Sequence, residues 1–195
     1  MATAKARLLT HSVLPFASML LALAAATLAI DALLHAFDLV WIGRYLGIPG
    51  VALILASLIY SARKRKIISW GKPAKLLRRH ERLAWAGSLL ILVHAGIHFN
   101  AWLGWLAIGA MAINIGSGLT GKYLLQHARK SLLATKAALV AQGLSPDELD
   151  ERTYWDTITL GVIQQWRVIH LPITLAFAVL ALAHVVSICL FWRWW

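Results

Sequence analysis

Five apolar stretches, separated by short polar or basic segments, constrain this 195-residue chain more than any other feature. They run from about Val13 to Leu34, Tyr45 to Tyr60, His80 to His98, Trp102 to Leu125 and His170 to Trp192. A hydrocarbon core ~30 Å thick needs about 20 helical residues to cross it, so each stretch reads as a membrane span, the second a short one. Inside lipid the backbone must satisfy its own hydrogen bonds, which helices do. The expected fold is therefore all-α, an integral membrane bundle of about five transmembrane helices forming one domain over residues 1–195. Composition agrees. Hydrophobic residues make up 60% of the chain, mean hydropathy is +0.70, and charged residues are 14%, against roughly 25% in ordinary globular domains. Many of the ten tryptophans sit near the ends of the apolar stretches, where an indole finds both lipid and water.

The loops set the expected orientation. Residues 63–79 hold Arg63, Lys64, Arg65, Lys66, Lys72, Lys75, Arg78 and Arg79 and no acid. The positive-inside rule makes this loop cytoplasmic. The N-terminus then faces the cytoplasm and the C-terminus the outside of an inner (cytoplasmic) membrane, with the third and fifth helices parallel. The first apolar run follows Lys5 and Arg7 as a signal peptide would, but at near 20 residues it is longer than a signal core and reads as a helix. The net charge of +11 lies between spans, so it reads as a topology signal and a contact with anionic lipid, not a nucleic-acid face.

A cytoplasmic connector of about 126–168 joins the fourth and fifth helices. Gly143 ends one helical piece as a C-cap. Ser145-Pro146-Asp147-Glu148 starts the next, with serine as cap, proline in the first turn and Glu148 closing a capping box. This second piece can run on into the fifth helix, with Gly161 the weak point.

Two histidine pairs share one spacing: His80 and His94, and His170 and His184, each 14 residues apart. Fourteen residues of helix rise roughly 21 Å and nearly complete four turns, so each pair lies on one face. Two such helices side by side offer two stacked sites, each with an imidazole from either wall. An iron porphyrin needs that pair of axial ligands. His80 would pair with His170 in the cytoplasmic half and His94 with His184 in the outer half, holding two haem b groups. The bland alternative is four packing or interfacial histidines, although ionisable groups inside spans are usually functional. The single cysteine, Cys189, excludes a disulfide, a CxxCH haem attachment and any thiolate cluster.

Around the histidines, Gly87 falls midway between His80 and His94, where a missing side chain admits a flat macrocycle or a neighbouring helix. Thr174, Phe177 and Ala181 line the matching face of the fifth helix, and Phe177 could lie between the two rings. Arg79 and Arg167, with Arg78 and Arg82, flank the cytoplasmic ligands and could hold haem propionates as bidentate forks; Arg44 is a weaker candidate outside. His98, one turn past His94, is an alternative ligand or a relay at a quinone site. His11, His35 and His127 read as solvated, as do Asp31 and Asp38. Asn114 could hydrogen-bond across the bundle or to a ligand. Gly116-Ser117-Gly118-Leu119-Thr120-Gly121 fits GxGxxG, but at the end of an apolar helix it reads as close helix packing, not a nucleotide loop.

The pattern His80-Glu-Arg-Leu-Ala-Trp85 followed by His94-Ala-Gly-Ile-His98 resembles the third helix of the ferric-reductase-like transmembrane domain, a family that includes NADPH oxidases. Trp166-Arg167-Val-Ile-His170 and His184 resemble its fifth. The likeness covers roughly residues 75–190. It implies two stacked b haems held by four histidines. The chain departs from that family in showing five helices where six are usual. It also lacks the flavin and nicotinamide domain of many members, so electrons are expected from a quinol or from another subunit. The expected function is transmembrane electron transfer as the membrane subunit of a larger oxidoreductase. Quinone is a further candidate cofactor. Candidate partners are a cytoplasmic flavoprotein or iron–sulfur protein, or an external c-type cytochrome. A stand-alone metal or oxygen reductase and a haem-free membrane scaffold are the alternatives.

Overall fold

The computed structural model describes residues 13–96 and 102–191, with the side chains of Trp166 and Arg167 excepted. Every regular element among them is helical. In chain order these are α1 (Leu14–Ala36), α2 (Val40–Tyr45), α3 (Gly47–Ser57), α4 (Ile59–Lys64), α5 (Pro73–Gly96), α6 (Trp102–Leu119), a π-helical stretch (Thr120–Leu125), α7 (Gln126–Ala141) and α8 (Pro146–Phe191). Four helical runs are long and apolar enough to cross a membrane: Leu14–Ala36, Val40–Lys64, Trp102–Ala141 and Pro146–Phe191. The protein is an all-α membrane protein. His98 and the ends of the third and fifth apolar stretches lie outside the described residues.

Two spans differ from the sequence expectation. The second runs from Val40 to Lys64 and is longer than expected, but it is built of three pieces. Joints fall at Leu46 and Leu58, where the backbone tightens to bonds from Leu46 N–H to the Gly43 carbonyl and from Leu58 N–H to the Leu55 carbonyl. Pro49 accounts for the first joint, since it has no N–H to offer the Tyr45 carbonyl. The third span, α5, falls short of the other four in apolar length among the described residues. Arg78, Arg79, Glu81 and Arg82 occupy its first half, leaving 83–96 as its uncharged run.

The chain folds as two compact units. One spans Leu21–Ile108; the other is built mainly from Gly109 onward. In the first, α5 packs along α3 and α4. In the second, α7 and the π-helical stretch pack on α8. The connector takes the predicted form. Gly143 adopts φ +80°, and the bonds Gly143 N–H to Val140 and Leu144 N–H to Leu139 close a Schellman turn. The capping box forms: Ser145 N–H donates to Glu148 Oε2 at 3.0 Å and Glu148 N–H to Ser145 Oγ at 3.4 Å. Those donors hold the Glu148 carboxyl below its ordinary value, the Ser145 backbone N–H first. α8 then continues unbroken through Gly161 and Pro172 for 46 residues. At 1.5 Å per residue it is about 69 Å long, more than twice the hydrocarbon thickness, so only part of it can lie in lipid.

Candidate functional site: the histidine faces

His80, Gly87 and His94 form one stripe on α5, as their spacing requires, and the stripe lies against the second span. His80 Nδ1 donates to the Ser57 carbonyl at 3.0 Å. Gly87 meets Gly50 so closely that a Cβ there would lie 2.9 Å from the Gly50 carbonyl oxygen. His94 Nδ1 donates to the Gly43 carbonyl at 3.3 Å. The three contacts step by seven residues in opposite directions along antiparallel helices. Ser57, Gly50 and Gly43 are all buried, and each of the two acceptor carbonyls belongs to a residue near a joint of the span. Small residues recurring every seven in the second span were a visible signal for this partner, and the sequence reading passed over them.

The carbonyl acceptors fix the chemistry of both rings. A carbonyl can only accept, so Nδ1 carries the proton in each, and in the neutral ring Nε2 keeps its lone pair. Histidines that bind metals show this arrangement: one nitrogen anchored to a backbone carbonyl, the other left as donor to the metal. Gly47 adds clearance at His94. A Cβ at residue 47 would lie 3.0, 3.1 and 3.2 Å from Cδ2, Cγ and Nε2 of His94, so Gly47 packs against the ring itself and only glycine leaves the imidazole where it is. The donor chemistry of His80 and His94 therefore fits axial ligation. Gly50 and Ile54 of α3 fill the space beside Gly87, which is the close approach of a neighbouring helix that a glycine there allows.

A cavity of about 230 Å³ lies beside His80, lined by Ser57, Tyr60, Leu76, Arg79, His80 and Leu83 among others. It brings Arg79 and His80 together, as the propionate reading requires. Tyr60 stacks obliquely on His80, ring centres 5.6 Å apart. The volume is below the roughly 300–1,000 Å³ of ordinary ligand pockets.

In the other unit His170 lies on α8 against α6. Ser117 Oγ is hydrogen-bonded to His170 Nδ1, and Ser117 is only 4% exposed. One turn along, the single proton of Thr174 Oγ1 is shared between Asn114 Oδ1 at 3.0 Å and the His170 carbonyl at 2.7 Å. Asn114 thus bonds across to α8. Phe177, on the same face of α8, is buried. His184 is half-buried further along the same unbroken helix. The Arg167 side chain lies outside the described residues; Arg44, Arg78 and Arg82 are exposed.

Other expectations change. A Cβ at Gly116, Gly118 or Gly121 would meet nothing within 4 Å, so the GxGxxG segment does not mark close helix packing among the described residues. It leads directly into the π-helical turn, the form that often marks functional positions. Asp31 is not simply solvated: its side chain is 27% exposed, and its Oδ1, buried beside Gly96 without a hydrogen bond, lies 3.6 Å from His35 Nδ1. His35 and Asp38 are exposed as expected. His127 is half-buried, and His11 lies outside the described residues.

No protein-family model, no curated protein and no solved structure matches the chain.

Proposed function

We propose that this protein is a membrane-embedded b-type cytochrome, with His80, His94, His170 and His184 as the axial ligands of two haems. The observation that carries the reading is the anchoring of Nδ1 on a backbone carbonyl at both His80 and His94. Packing histidines need no particular tautomer, whereas axial ligands need Nε2 deprotonated and held in place. The pairing of His80 with His170 and of His94 with His184 rests on their equal spacing in the sequence.

Bound haem would supply one-electron redox chemistry. The residues would do the rest. The Ser57 and Gly43 carbonyls orient the imidazoles of His80 and His94. Arg79 and Arg167 are the candidate partners for propionates, Arg79 from the cavity it shares with His80. Gly87 sets how closely the second span approaches α5. Electron transfer across an inner membrane, N-terminus inside, as the membrane subunit of a larger oxidoreductase, is the role that the basic loop 63–79 and the repeated histidine spacing support. A quinone or a separate redox protein would exchange the electrons.

Haem stoichiometry in single variants tests this. His94→Ala and His184→Ala should each lose one of two haems and leave the other's spectrum unchanged. Unchanged haem content in both variants rejects the ligand assignment.

A further inference from the structure

The anchoring of His170 differs in kind from that of His80 and His94. A carbonyl fixes the ring proton by its nature. Ser117 Oγ can donate or accept, so the hydroxyl permits two tautomers and something must choose between them.

Resting on the axial-ligand reading, we infer that Ser117 is a positioning residue for His170: its hydroxyl accepts from Nδ1–H and so reserves Nε2 for a metal.

Three observations support this. First, Ser117 is buried, so its hydroxyl is shielded from water and is spent on the ring. Second, the ring's backbone is clamped independently. Thr174 ties the His170 carbonyl to Asn114, which sits three residues before Ser117 on α6. The pairs Asn114–Thr174 and Ser117–His170 are successive rungs between antiparallel helices, and Met111 and Phe177, both buried, fall at the next rung. Third, the α-helical ladder ends two residues after Ser117. Thr120 Oγ1 turns back onto the Gly116 carbonyl at 2.9 Å and the π-helical turn begins at Thr120. A serine inside a regular helix commonly spends its hydroxyl on a carbonyl of its own preceding turn. Here the Ser117 hydroxyl is aimed outward at an imidazole.

Helix adhesion alone would be served by the Asn114–Thr174 bond. The positioning claim makes a separate forecast. Nitrogen-15 NMR of histidine-labelled protein, in bilayers and reduced with dithionite, reports the protonation of each ring nitrogen whether or not haem is bound. The His170 signals are assigned by their loss in His170→Ala. Wild-type protein should show Nδ1 protonated and Nε2 not, in a single population. Ser117→Ala should give a mixture of tautomers, and Ser117→Thr should restore the single one. Asn114→Leu should lower thermal stability and leave the tautomer alone. Protonated Nε2 in the wild type, an unaltered Ser117→Ala spectrum, or an equal disturbance by Asn114→Leu would overturn the inference. Haem content of the same samples separates failure of the ligand reading from failure of the Ser117 role. Where haem is present, Ser117→Ala should raise the midpoint potential of one haem only, because losing the acceptor makes the imidazole a weaker electron donor. Equal shifts in both haems would contradict it.

Discussion

Filling the contact at Gly87 should uncouple the histidine stripe from the second span. A Cβ at residue 87 would stand 2.9 Å from the Gly50 carbonyl oxygen and 3.0 Å from Ile54 Cγ1. The oxygen is backbone and cannot turn aside. A carbon and a carbonyl oxygen rest at roughly 3.3–3.6 Å, so Gly87→Ala forces α3 and α5 apart by about half an ångström. The His94–Gly43 bond, at 3.3 Å, would stretch to about 3.8 Å and break. The His80–Ser57 bond, at 3.0 Å, would reach the limit of hydrogen bonding. Overpacking costs about 1–3 kcal/mol and a lost hydrogen bond about 1 kcal/mol. Together these come to about 2–4 kcal/mol for alanine and more for leucine. Thermal unfolding in detergent reads the stability, and the reduced absorption spectrum reads the ligands. The haem bound through His94 should be disturbed before the one bound through His80. A Gly87→Leu protein that melts with the wild type would refute the contact and the geometry built on it.

Other outcomes follow from single contacts. Gly47→Ala presses on the His94 ring without touching the Gly50–Gly87 contact; on the proposed reading the spectrum of the haem at His94 should shift while the melting temperature moves by less than in Gly87→Ala. The Glu148 carboxyl is held below its ordinary value in the folded chain, so its contribution to the start of α8 is complete above the ordinary carboxylate range and lost as pH falls through the lowered value. Amide exchange at residues 145–150 should therefore accelerate in acid beyond its intrinsic trend, and Glu148→Ala should abolish that pH dependence. Asp31 Oδ1 makes no hydrogen bond but lies 3.6 Å from His35 Nδ1; an i,i+4 pair of this kind is worth only about 0.3–0.5 kcal/mol, so Asp31→Asn should leave the melting temperature nearly unchanged, and a large loss would contradict this reading.

The sequence revealed most of the helices and little of their pairing. Apolar length disclosed the spans because lipid leaves few other solutions. The Gly143 turn and the Ser145–Glu148 cap were readable because caps are written in side chains close together in the chain. The equal histidine spacing announced two faces, and both lie on unbroken helices. What those faces touch was hidden. The acceptors for His80 and His94 are backbone carbonyls, which every residue possesses, so nothing in the sequence marked Ser57 and Gly43 except their small size. At residue 87 a glycine admits a flat group or a helix equally well, and only packing decides. The π-helical turn and the Ser117–His170 bond arise from tertiary contact with α8. Glycines that looked like packing points at 116, 118 and 121 open onto space, since small size permits contact without requiring it.

The central claim is that imidazoles with anchored Nδ1 atoms hold two irons in this chain. Purified protein from cells supplied with iron and haem precursor should contain two haems per chain by pyridine haemochrome assay, with the sharp reduced α-band of a six-coordinate, bis-histidine b haem. A colourless preparation that is folded and monodisperse would contradict the claim.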